Sequence, residues 1–153
     1  MGFKRREETK KIVLHCSASP QGRGDTSEDI HRWHLERGWS AIGYHFVLLE
    51  DGMIEVGRPH WAQGAHVRGH NHDSIGVCFI GQPNEMTFQQ YTAFNELKKI
   101  LVEMYGIMDI VTHNDLDPKK ECPGFSLKSG LAYNAWETSM SNSGLVDRLN
   151  LDV

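Results

Sequence analysis

Two residues nine positions apart on one segment, His113 and Cys122, offer the first chemistry in this sequence. A neutral imidazole and a thiolate are a ligand pair suited to zinc. Two ligands leave a site incomplete. His15, in VLHCS at the end of a strand-like run, is the best placed third, because strand ends along one edge of a sheet converge in space. A His-His-Cys set with its fourth position open is the pattern of a catalytic zinc, since structural sites close with four protein ligands. Zinc there would supply a water of pKa about 7 and polarise a carbonyl. The loop matches none of the Cys-x-x-Cys zinc patterns, so the same residues also read as a buried cysteine and two hydrogen-bonded histidines.

Two more residues would complete such a site. Tyr44 carries a hydroxyl that could orient a water or bond a developing oxyanion; it reads equally as a core tyrosine with a satisfied hydroxyl. Lys120 lies two residues before Cys122, so if the cysteine binds metal, the ammonium is held near a tetrahedral intermediate. By itself it is a surface lysine. Of His66, His70 and His72 in HVRGHNHDS, only His66 is read as contacting substrate. His45 reads as a core residue or one that supports a ligand, and His31, His34 and His60 as structural or surface residues.

These side chains need a scaffold. KIVLHCS (11–17) is short, apolar and β-branched, the pattern of a buried strand. A cap-like Thr26 opens an amphipathic helix through Ile30, Trp33, His34 and Arg37, which Gly38 stops. IGYHFVLL, then Glu50-Asp51-Gly52, then MIEVGR predict a hairpin in which Tyr44 and Phe46 share one face and His45 takes the other. SIGVCFIG (74–81) is nearly all apolar and belongs in the middle of a sheet covered on both faces. Thr87 caps a long helix carrying Phe94, Leu97, Leu101 and Met104 up to Gly106, and DIVTH is a last strand leading to His113. HNDLDPKKECPGF reads as irregular backbone, and residues 130–138 as a final helix. The organisation expected is one catalytic domain over 1–138 and a polar tail over 139–153, mobile or loosely docked, with a weak apolar repeat at Leu145, Val146 and Leu149.

A length of 153 residues allows one core and one site. A net charge of −4, with no basic stripe beyond Lys4, Arg5 and Arg6, argues against a nucleic-acid partner. No run of eighteen apolar residues suggests a membrane span, and MGFKRREETKK has no secretory core, so a soluble, cytoplasmic chain is expected; separately, a monomer is expected. Cys16 and Cys78 fall in apolar runs, so no disulfide framework is expected and Cys122 is left for other work.

VLHCSAS, WHLERGW, IGYHFVLLEDGMIEVGR, GAHVRGHNHDSIGVCFIG and HNDLDPKKECPGF, in that order over about residues 11–127, resemble the N-acetylmuramoyl-L-alanine amidase family, in particular its small T7-type phage lysozymes and the peptidoglycan recognition proteins. The resemblance implies an α/β fold, a central mostly mixed β-sheet flanked by helices. It also implies one zinc per chain on His15, His113 and Cys122, with Tyr44 and Lys120 as catalytic residues. The last loop is one residue longer than in several relatives, and the proline-flanked cysteine sets the register that selects Lys120 over Lys119. The activity implied is hydrolysis of the lactyl amide between N-acetylmuramic acid and L-alanine in peptidoglycan. Cys122 favours an endolysin, held in the host cytoplasm until released to the periplasmic cell wall, over recycling relatives that usually carry aspartate there. A non-catalytic peptidoglycan-binding module is the alternative, and such relatives lack the complete ligand set. T7-type relatives also contact a phage RNA polymerase, for which the basic start around Lys4–Arg6 would be the surface.

Overall fold

The computed structural model describes residues 2–107, 109–127, 145 and 148–151. Among the described residues, five strands form one mixed sheet in the order β3-β2-β4-β1-β5: β1 Lys11–Cys16, β2 Phe46–Leu48, β3 Ile54–Val56, β4 Ser74–Phe79 and β5 Asp109–Thr112. β1 pairs in parallel with β4 and β5, β2 pairs in parallel with β4, and β2 and β3 form the antiparallel hairpin. β4 is the middle strand and buried along its whole length, as its unbroken apolar run predicts.

Helices α1 (Ser27–Glu36) and α2 (Phe88–Tyr105) cover the two faces, and each begins at a threonine whose side chain closes a capping box. Alternation along the strands divides the interior. Ile12, Leu14, Phe46, Leu48, Ile75, Val77 and Phe79 pack with Phe94, Leu97 and Leu101 of α2. Ile30 of α1 packs with Ile42, Val47, Cys78 and Ile80 on the other face. His15, between Leu14 and Cys16, falls on the α1 face, where the register sets it opposite Cys78.

Three expectations need correction. Tyr44 does not share a face with Phe46: the regular strand begins only at Phe46, so alternation does not extend back to Tyr44, which packs in the α1-side cluster while Phe46 joins the α2 side. Lys4–Arg6 is not a free basic patch. Arg6 is buried, its Nη1 donating to the Ala62 carbonyl at 2.9 Å and its Nε to Thr9 Oγ1 at 2.8 Å, which leaves Lys4 and Arg5 at the surface.

The tail is not loosely docked at its described leucines: Leu145, Leu149 and Leu151 are buried in the α2-side core, while Arg148 and Asn150 between them are exposed. The helix expected over 130–138 lies outside the described residues. Leu151→Ala should therefore lower stability by about 2–5 kcal/mol, read as a lower urea midpoint. A loosely docked tail would lose no more than about 0.5 kcal/mol.

Candidate active site

The carboxyl ends of neighbouring parallel strands build this site. Leu14 of β1 is level with Thr112 of β5, so the residues that follow, His15 and His113, emerge side by side. Thr112 then caps a short helix, α3 (His113–Leu116), by a capping box with Asp115, so the segment expected to be irregular starts with a helical turn that holds the His113 backbone. The two rings tilt at 56° with their Nδ1 atoms 3.1 Å apart. Tetrahedral zinc with Zn–N bonds of 2.0–2.1 Å spaces two nitrogens about 3.3 Å apart.

The last loop folds back so that Asn114 N–H donates to the Cys122 carbonyl at 2.9 Å. The Cys122 sulfur meets β1 directly: Cys16 N–H donates to Sγ at 2.9 Å, and the Cys16 carbonyl is 3.2 Å from it. The Cys16 side chain, then His113, then that amide draw the Cys122 thiol down to about 5, whereas burial alone would raise it. These contacts favour its ionised form. Cys16 and Cys78 are buried free thiols, both pushed upward.

The Tyr44 ring stands 5.0 Å from the His15 ring and 5.5 Å from that of His34. Burial holds this phenol neutral, well above its usual range. Lys120 sits on the exposed rim, its backbone held by Asp117 and Asn114. Lys119 is exposed beside it. His15, His113, Cys122 and Tyr44 are thus gathered, with Lys120 at the edge.

His66 is where position in the fold departs most from a solvated, substrate-facing loop. Its ring is enclosed, with Nδ1 2.8 Å from His15 Nε2 and Nε2 3.1 Å from Ser74 Oγ. His45 lies behind it, fully buried, accepting the Gly76 N–H on Nδ1 at 3.0 Å. His34 also supports the site from below, accepting the Gly43 N–H at 2.9 Å. Of this layer the sequence had suggested His45 as a core or supporting residue and His34 as a structural or surface one, but not the enclosed place of His66.

Desolvation keeps His15, His66, His45 and His34 neutral, with His45 held down to about 3 and His34 to about 4. Unfolded histidine titrates near 6.5. Below that pH the unfolded chain binds more protons than the folded one, so stability is full above about 6.5 and falls as pH drops toward 3. Urea midpoints measured from pH 7 to 4 should decline steadily, and His45→Gln should flatten the decline; an unchanged slope would show that His45 protonates freely in the fold.

Among the described residues, the one group of three metal-ligating side chains with ligand atoms within 4.8 Å of one another is Glu8, His72 and Asp73, outside this site. Lys11 Nζ already sits 2.5 Å from Asp73 Oδ2 and neutralises that carboxylate.

Residues 5–125 match the family model described as N-acetylmuramoyl-L-alanine amidase. The endolysin of Escherichia phage T7 is 37% identical over 144 residues, covering 90% of this chain and 95% of that protein. Peptidoglycan-recognition protein LB of Drosophila melanogaster is 34% identical over 128 residues, covering 74% of this chain and 53% of that protein. Among solved structures, the N-acetylmuramoyl-L-alanine amidase endolysin LysCS of Clostridium intestinale superposes with a TM-score of 0.75 at 35% identity, covering 82% of each chain. A fold, a strand-end site and a family match over most of its length agree that this chain belongs to the N-acetylmuramoyl-L-alanine amidase family.

Proposed function

We propose that the protein is a zinc-dependent endolysin that hydrolyses the lactyl amide between N-acetylmuramic acid and L-alanine in peptidoglycan, reaching the wall after release from the host cytoplasm. The observation that carries this reading is the pair of Nδ1 atoms 3.1 Å apart beside a low-pKa thiol. The donor set fits zinc in kind, two imidazoles and a thiolate, and the imidazole spacing fits it in length. Cys122 Sγ, turned to the Cys16 backbone, would swing toward the two nitrogens on binding. The complete set of His15, His113, Cys122 and Tyr44 disfavours a binding module without catalysis.

Zinc held by His15, His113 and Cys122 would supply a Lewis acid and a hydroxide at neutral pH. The chain's own groups do the rest. His15, kept neutral by burial, would stay a donor, with His113 beside it. Tyr44, a neutral phenol over the His15 ring, donates its hydroxyl to the attacking water or to the oxyanion that forms on the carbonyl. The leaving alanine nitrogen must gain a proton; the attacking water gives one up, and Tyr44 Oη or nearby solvent would relay it. Lys120, exposed two residues before Cys122, would bring its ammonium to the same oxyanion.

The test is mass spectrometry of purified peptidoglycan digested with and without a zinc chelator. Free stem peptides beginning at L-alanine, lost on chelation and restored by added zinc, are the expected result. Release that ignores the chelator would remove zinc from the reading, and intact linkages throughout would favour the binding module.

A further inference from the structure

A chain of hydrogen bonds runs from the interior to His15, and it has only one consistent direction. The Ser74 hydroxyl has a single hydrogen, and it goes to the His70 carbonyl at 2.7 Å, because a carbonyl can only accept. Ser74 Oγ must therefore accept from His66 Nε2 at 3.1 Å, so that nitrogen carries the His66 proton. A neutral imidazole has one N–H, which makes His66 Nδ1 an acceptor. Its partner at 2.8 Å is His15 Nε2, which must donate. His15 then has no proton on Nδ1, and this lone pair is the one that faces His113.

We propose that His66 is a positioning residue that, with Ser74 and the His70 carbonyl, locks His15 into the tautomer whose Nδ1 lone pair points at His113. The consequence for a metal rests on the zinc reading above; the tautomer itself does not. It is a choice of proton position at constant charge. The ring is built into place. A Cβ on Gly76 would stand 2.6 Å from His66 Cγ, and one on Gly64 would stand 2.8 Å from Cδ2, so only glycine at these two positions leaves room for the imidazole. Asn71 Oδ1 accepts the His66 backbone N–H at 2.9 Å and fixes the loop below. Outer partners of this kind typically change metal affinity by 10–100-fold when lost.

Long-range 15N–1H correlation spectra of the metal-free wild-type protein read the tautomer directly. The expected result is a protonated Nε2 and an unprotonated Nδ1 on His15, with the same assignment on His66. A protonated Nδ1 on His15 would overturn the proposal. Zinc affinity by chelator competition gives the second readout. His66→Leu should weaken it by about 10–100-fold, while His66→Asn, whose Oδ1 restores an acceptor near the Nδ1 position, should recover most of it. Equal losses in the two variants, with equal thermal melts, would reduce His66 to a packing residue. Wild-type protein that shows the stated tautomers but binds no zinc would sink the zinc reading and leave the lock standing.

Discussion

Cys122→Ser should abolish tight zinc binding and turnover together while leaving the fold intact. Serine is nearly the size of cysteine, and its Oγ can still accept the Cys16 N–H that now goes to sulfur at 2.9 Å. The difference is charge. Its surroundings draw the thiol down toward ionisation, whereas a hydroxyl stays protonated and is a poor zinc donor. The affinity loss should therefore exceed the 10–100-fold typical of an outer partner, so that protein purified without added metal carries almost no zinc. Metal analysis, turnover and a melting curve on the same sample separate the outcomes. Zinc content and turnover both at the wild-type level would show that Cys122 is not a ligand.

Tyr44→Phe makes the complementary prediction: full zinc content and kcat lowered by about 100–1,000-fold, the scale measured when one donor to a developing oxyanion is removed. Phenylalanine keeps the ring that packs 5.0 Å from His15 and 5.5 Å from His34, so positioning of the ligand is preserved. What is lost is the hydroxyl, neutral because burial holds its pKa well above the usual range. Since the effect falls on the chemical step, KM should change little. A drop in zinc content would show instead that Tyr44 acts by packing His15.

Elements with strong local signals were legible. α1 and α2 begin at the threonines expected because caps depend on residues within one helical turn, and both capping boxes are present. The β2–β3 hairpin, the central β4 and the delivery of His113 from a strand end follow from apolar runs and turn residues. Even the meeting of His15 with His113 was foreseeable in outline, since two parallel neighbours bring their carboxyl ends together. The face taken by Tyr44 was not, because period-two alternation holds only while backbone stays extended, and here the regular strand starts two residues later.

By itself the sequence determined the donor types, the order of elements and the family resemblance, all of which rest on residue identity and short spacing. Tertiary structure decided what surrounds them. His66 reaches His15 across 51 positions, Cys122 reaches the Cys16 backbone across 106, and Arg6 reaches the Ala62 carbonyl across 56. Leu151 enters the α2-side core from a segment with little apolar periodicity. No local pattern encodes such contacts, for they follow from sheet register, from the room left by Gly64 and Gly76, and from the requirement that buried polar groups find partners.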